Sequence, residues 1–287
     1  MDTGIAPAQA AALDDRDYRF LNPAYALDTI RIFDHERGYW AHHQSCVRMS
    51  PRLKRGRLDN LARNGFDLRP ALDPAFAAAL ATRARKEARN LGPRELGQAM
   101  VRDILERTLT PEIHGVLNGY FLTEFAVIFM RIDLTEPRQA QTPDTPPEVS
   151  FSWHCDGGPS THLKLLVYLN PAAEHDGATE VLSNAVTAQF KKLGYVFAPA
   201  SKRLTDLSDL AARNGIVYAP QRLQPDAGEA LIFEPAGVLH KGVYPTRGAR
   251  VMIEVWLVPW VQDWRRFFDA NFNILLNNAD CNFPQIK

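Results

Sequence analysis

Cysteine is scarce in this 287-residue chain: there are three, Cys46, Cys155 and Cys281, widely spaced and odd in number. They provide neither a disulfide framework nor a thiolate zinc cluster, and a reducing compartment is the simpler expectation. An excess of charge of either sign is also missing, with 33 lysines and arginines against 33 aspartates and glutamates. Dedicated nucleic-acid binders carry a large basic excess, so no nucleic-acid partner is expected. No uncharged apolar run approaches membrane-spanning length, so no membrane partner is expected either. The opening stretch MDTGIAPAQAAALDDRD lacks the basic start and apolar centre of a secretory signal, which makes a cytoplasmic protein the expectation. There is no internal repeat and no low-complexity tract.

What is present divides the chain by texture, within one domain. Residues 1–120 read as a helical or irregular wrap. In DPAFAAALATRARKEARN, Asp73 is a candidate N-cap before Pro74, and PRELGQAMVRDILERTLTP repeats that logic up to Pro111. After Tyr120 the residues become β-branched and aromatic. FLTEFAVIFMRIDL, SFSWHCD, LKLLVYLN, ATEVL, GIVYA, EALIF and RVMIEVWLV are strand candidates broken by Gly, Pro and Asn. The expected fold is mainly β with flanking helices: a β core over 121–260, an insertion at 187–214 with a short helix near Leu207–Arg213, and a helical tail over 261–287.

Chemistry concentrates in Ser152-Trp153-His154-Cys155-Asp156. On a strand, residues two apart share a face, so Ser152, His154 and Asp156 would look into a cavity while Trp153 and Cys155 pack outward. A histidine and a carboxylate one pleat apart can hold one metal ion, although a buried histidine steadied by an aspartate has the same spacing. His240, in GEALIFEPAGVLHKG, offers a third ligand from a distant strand. Two imidazoles and a carboxylate leave coordination positions open and form the ligand set of non-haem Fe(II) oxygenases. Arg250 begins a strand on which Arg250, Met252, Glu254 and Trp256 share one face and Val251, Ile253, Val255 and Leu257 the other. An inward guanidinium needs an anion, supplied either by a ligand carboxylate or by an internal partner such as Glu254.

On His154-Cys155-Asp156, LKLLVYLN, HDGATEVL, GEALIFEPAGVLHKG and Arg250, the chain resembles Fe(II)/2-oxoglutarate-dependent oxygenases of the phytanoyl-CoA dioxygenase-like family, over roughly half its length. The resemblance implies a double-stranded β-helix, a jelly-roll or cupin-like barrel. It implies that His154, Asp156 and His240 bind Fe(II) and that Arg250 holds the distal carboxylate of 2-oxoglutarate. With O2 as co-reactant, it implies hydroxylation of a small or medium organic metabolite with release of succinate and CO2. Desaturation, epoxidation or cyclisation on the same fold, or a non-catalytic cupin-like binding protein, are the alternatives. Relatives commonly follow the GATEVL strand with a Pro-Gly-Ser-His turn, where this chain has Ser183-Asn184-Ala185-Val186. Asp156 argues against the halogenating branch, which has a small residue at that position.

Lys164 and Arg131 are further candidates for holding the cosubstrate. His162 stands near the site in sequence but reads more simply as a solvated loop residue. His35, His42, His43, His114 and His175 lack partner spacing and read as structural or exposed. The basic run from Arg48 to Arg63, which includes Arg55 and Arg57, is a solvated face or a receiver for an anionic small-molecule substrate. The proline-rich loop Thr135–Glu148 has the length of a lid. Oligomeric state is not legible.

Overall fold

A computed structural model describes residues 38–50, 59–137, 149–156, 161–196 and 202–277. In chain order the elements are α1 (Tyr39–Met49), α2 (Asp59–Asn64), β1 (Phe66–Pro70), α3 (Pro74–Glu87), α4 (Pro93–Leu96), α5 (Gln98–Thr108), α6 (Pro111–Phe121) and β2 (Glu124–Thr135). They continue with β3 (Leu163–Tyr168), α7 (Ala172–His175), β4 (Glu180–Val181), α8 (Asn184–Lys192), α9 (Ser208–Arg213) and β5 (Gln221–Arg222). The last are β6 (Glu229–Phe233), β7 (His240–Lys241), β8 (Arg250–Trp260) and α10 (Trp264–Asn277).

Local chemistry sets several of these boundaries. Asp73 caps α3 by accepting from the Phe76 amide at 2.9 Å, with Pro74 in the first turn where its missing N–H costs nothing. Thr110 and Pro111 do the same for α6. The stretch read as one helix up to Pro111 breaks into α4 and α5 at Gly97, whose φ of 79° leaves the helical region.

A five-stranded antiparallel sheet runs in the order β1-β6-β3-β8-β2, and a smaller sheet runs β5-β4-β7. Along β8, Val251, Ile253, Val255 and Leu257 are fully buried against the helices, in one core with Leu80, Ile104, Leu117, Trp264 and Phe268. Each such side chain taken out of water contributes about 1.5–3 kcal/mol, which pins the register of β8. The alternate residues Arg250, Met252 and Glu254 therefore line a cavity on the other face.

Several expectations change. The described residues form a mixed α/β arrangement rather than a mainly β one, and the two sheets do not close into a barrel. β1 lies within the part expected to be helical or irregular; five residues at a sheet edge, ending in proline, give too short an alternation to read. GIVYA is not a strand, and Val217 within it is 77% exposed. Strict alternation along β2 would put Val127 on the face of Phe129 and Arg131, but a register shift between Val127 and Phe129 sends it to the helix side.

The departure at Ser183 has a structural reason: its hydroxyl accepts from the Val186 amide and starts helix α8. Helices α8 and α9 enclose a separate apolar cluster of Trp153, Cys155, Phe190, Tyr195, Leu207 and Leu210. The outward face of the His-x-Asp segment is thus packed against the insertion. Among the described residues, no helix is long and apolar enough to cross a membrane.

Candidate metal centre

His154 and His240 come from segments far apart in sequence and meet through a single β-bridge. Each backbone amide donates to the other residue's carbonyl, at 3.1 and 3.0 Å. Only the bridge is regular: Ser152–Asp156 is not a continuous strand, and a short 3-10 turn at Val149–Phe151 precedes it. The bridge sets the two rings side by side, with centroids 4.4 Å apart. His154 Nδ1 lies 2.7 Å from the Ser152 carbonyl and His240 Nδ1 lies 2.9 Å from the Val238 carbonyl. A carbonyl can only accept, so Nδ1 carries the proton in each ring and each Nε2 presents its lone pair. This is how metal-bound imidazoles are usually steadied.

Asp156 completes the group. Its amide donates to the Pro235 carbonyl at 2.8 Å, and its Oδ1 lies 3.4 Å from His154 Nε2 and 3.8 Å from His240 Nε2. The three ligand atoms all lie within 4.8 Å of one another, so His154, Asp156 and His240 could hold one metal ion. Burial opposes the Asp156 charge, but the Lys164 ammonium and the two imidazoles outweigh it and hold its pKa well below the usual carboxylate range. Burial, with the neighbouring positive groups, pulls His240 down to about 3. Both ligands are therefore in their metal-binding protonation states at neutral pH. The nearby thiol faces away: Cys155 packs in the α8–α9 cluster, and burial pushes its pKa up. Two nitrogens and one oxygen without thiolate suit Fe(II).

The cavity beside this group has a volume of about 520 Å³. Arg250 lines it, 4% exposed. Its Nη1 donates to the carbonyls of Gly177 at 2.8 Å and Val243 at 3.3 Å, and its Nη2 to Thr135 Oγ1 at 3.2 Å. Among the described residues, the buried Nε has no hydrogen-bond partner and no carboxylate pairs with the guanidinium. The alternative partner weighed above, Glu254, is engaged elsewhere. An always-charged group buried among neutral acceptors is costly unless an anion arrives.

Lys164 and Arg131 belong to one charged chain along the cavity wall. Lys164 Nζ lies 2.7 Å from Asp156 Oδ2 and 3.1 Å from Glu254 Oε1. Glu254 also receives the Trp256 indole N–H at 2.6 Å and faces Arg131 Nη2 at 3.5 Å. Arg131 Nε in turn meets Asp133 Oδ1 at 2.5 Å. Burial, reinforced by the Glu254 charge, raises Asp133 to about 6 despite that arginine. Glu254 is the hub that sequence reasoning missed. Its place on the Arg250 face of β8 was legible, but the partner expected there was Arg250, whereas the structure gives it Lys164 and Arg131. Thr135 and the stacked pair Phe151 and Tyr244, with ring centroids 3.6 Å apart, also line the cavity and were not anticipated.

His162 is buried rather than solvated, with its ring 6.0 Å from that of Trp256. His42 and His43 bond backbone carbonyls. A second His-acid group, His114, Glu124 and Asp263, is already committed, since Asp263 accepts from the Arg265 amide at 2.9 Å and pairs with its guanidinium at 3.3 Å. Residues 51–58 of the basic run, including Arg55 and Arg57, lie outside the described residues, as do 138–148 of the anticipated lid, Gly157-Gly158-Pro159, His35 and Cys281.

His175 is fully buried, accepts from the Gly177 amide at 2.9 Å and stacks on Tyr168. Burial first, then the Arg250 charge, lowers it from 6.5 to about 4. Below pH 6.5 the unfolded chain binds a proton that the folded chain refuses, so stability falls as the pH drops from 6.5 towards 4. Thermal unfolding of metal-free protein across that window is expected to show this loss, and His175→Asn is expected to remove the His175 share of it, leaving a shallower profile to which His240 still contributes.

No family model matches the chain, and no curated protein matches it. Solved structures with partial likeness include the epimerase SnoN in complex with Fe3+, alpha ketoglutarate and nogalamycin RO, at 14% identity over 70% of this chain and 81% of that one, with a TM-score of 0.49. HygX from Streptomyces hygroscopicus, with nickel, 2-oxoglutarate and hygromycin B bound, is 15% identical over 74% of this chain and 89% of its own, with a TM-score of 0.45. AviO1 from Streptomyces viridochromogenes is 18% identical over 72% and 96%, with a TM-score of 0.45.

Proposed function

We propose that this chain is an Fe(II)- and 2-oxoglutarate-dependent oxygenase of the phytanoyl-CoA dioxygenase-like type that hydroxylates a small or medium organic metabolite. The observation that carries the reading is the convergence of His154, Asp156 and His240 on one wall of a cavity that also holds Arg250, whose guanidinium is paired with no carboxylate of the described residues. In this reading strands β2–β8 of the two sheets form the halves of a double-stranded β-helix over 121–260, with β1 added at one edge and the N-terminal helices and the tail wrapped around it.

His154 and His240 would bind the iron through Nε2, each ring held by its carbonyl, and Asp156 through Oδ1. Arg250 would receive the distal carboxylate of 2-oxoglutarate, with its vacant Nε as one donor of a two-pronged contact. Leu166, Phe233 and Met252 line the same cavity and offer apolar cover for the cosubstrate's methylenes. When bound, iron and cosubstrate supply the oxidising chemistry, turning 2-oxoglutarate and O2 into succinate and CO2 and delivering one oxygen atom to substrate. The chain orients the two.

The direct test is succinate formation by purified protein given Fe(II), 2-oxoglutarate and O2. Slow iron-dependent succinate release without substrate is expected, accelerated by a substrate found by screening. Tight binding of iron and 2-oxoglutarate with no succinate under any condition would instead indicate a binding protein.

A further inference from the structure

We propose that Lys164 is a positioning residue that restricts Asp156 to one-oxygen coordination, and that Glu254 holds Lys164 in place to do so. The inference rests on the reading of the triad as an iron site, and it assigns Lys164 to Asp156 rather than to the cosubstrate.

The two oxygens of Asp156 are divided between different neighbours. Oδ1 faces the imidazoles, 3.4 and 3.8 Å from their Nε2 atoms, whereas Oδ2 faces the Lys164 ammonium at 2.7 Å. A carboxylate can bind a cation through one oxygen or both. Two-oxygen binding would fill a fourth of the six positions around an octahedral ion. One-oxygen binding leaves three, enough for a keto-acid chelate and one small ligand. The ammonium on Oδ2 opposes the rotation that would bring both oxygens to the metal.

A lysine is ordinarily too mobile for this task, with four rotatable bonds and a strongly hydrated head. Here the head is fixed from three sides. It contacts Asp156, lies 3.1 Å from Glu254 Oε1 and sits 4.4 Å from the centroid of the Trp256 ring. Glu254 is itself anchored by the Trp256 indole N–H and by Arg131. The register places Lys164 opposite Trp256 on β8 and opposite Phe233 on β6, so its stem rises from the middle of the large sheet. Lys164 is 9% exposed, which leaves little water to compete for the ammonium.

The test is anaerobic titration of Fe(II) and 2-oxoglutarate into wild type, Lys164→Met, Lys164→Arg and Glu254→Gln, followed by nitric oxide. The resulting iron–nitrosyl signal is read by electron paramagnetic resonance. Lys164→Met is expected to keep iron but to weaken nitric oxide binding about 10- to 100-fold, the size typical of losing a partner that orients a ligand. Its iron ligand-field spectrum is expected to shift, Lys164→Arg to restore both readouts and Glu254→Gln to fall between. Wild-type nitric oxide affinity and an unchanged spectrum in Lys164→Met overturn the proposal. Should Lys164→Met lack native circular dichroism, Glu254→Gln decides by the same readouts. Failure of wild type to bind iron, or equal binding by Asp156→Ala, would overturn the metal assignment itself and is separately visible.

Discussion

Replacing Asp156 with alanine is expected to reduce Fe(II)- and 2-oxoglutarate-dependent succinate formation to background. The two imidazoles remain, held by the Ser152 and Val238 carbonyls, but the only anionic ligand among the three is lost. Removing a group that merely orients a metal ligand commonly costs about 10- to 100-fold in affinity or activity, so deleting the ligand costs at least that. The Lys164 ammonium then keeps Glu254 as its remaining carboxylate beside the cavity, which further disfavours a cation. Iron content after dialysis separates loss of metal from loss of fold, which native circular dichroism checks. Full turnover in this variant would remove the basis for placing the metal here.

Arg250→Met is expected to raise the KM for 2-oxoglutarate about 10- to 150-fold, because hydrogen bonds to a charged group are worth about 1.5–3 kcal/mol and each 1.4 kcal/mol is tenfold. Iron affinity should be unaffected, since Arg250 is not one of the three ligands. The side chain also braces Gly177, Val243 and Thr135, so a lower melting temperature is expected alongside the kinetic effect. Arg250→Lys keeps the charge without the planar fork and should recover only part of the affinity. An unchanged KM in both variants would mean the cosubstrate is held elsewhere.

Much of the site was legible because it depends on strand periodicity and chemical type. The alternation along Arg250–Leu257 told the cavity face from the core face, since a fully aliphatic row has only one stable destination. His-x-Asp with a distant histidine carried enough chemistry to nominate the three residues whose ligand atoms lie together. What was not legible depends on pairing across the sheet. Glu254 reaches Lys164 and Arg131 from a third strand, and no local pattern announces such a meeting. The bulge before Phe129 inverts a face without changing composition, and the sequence carries no mark of it. His162 shows the opposite failure: polar character suggested solvent, yet packing near Trp256 buries it. Helix α8 was missed because a Ser-Asn start was compared with a turn of the resembled family instead of being read as an N-cap.

One measurement bears on the whole account: a crystal structure of the protein grown anaerobically with Fe(II) and 2-oxoglutarate. The expected result is a single ion bonded to Nε2 of His154, Nε2 of His240 and Oδ1 of Asp156, with the far carboxylate of the keto-diacid against Arg250 Nε. Iron bound instead at His114, Glu124 and Asp263, or a cosubstrate that leaves the Arg250 guanidinium untouched, would contradict it.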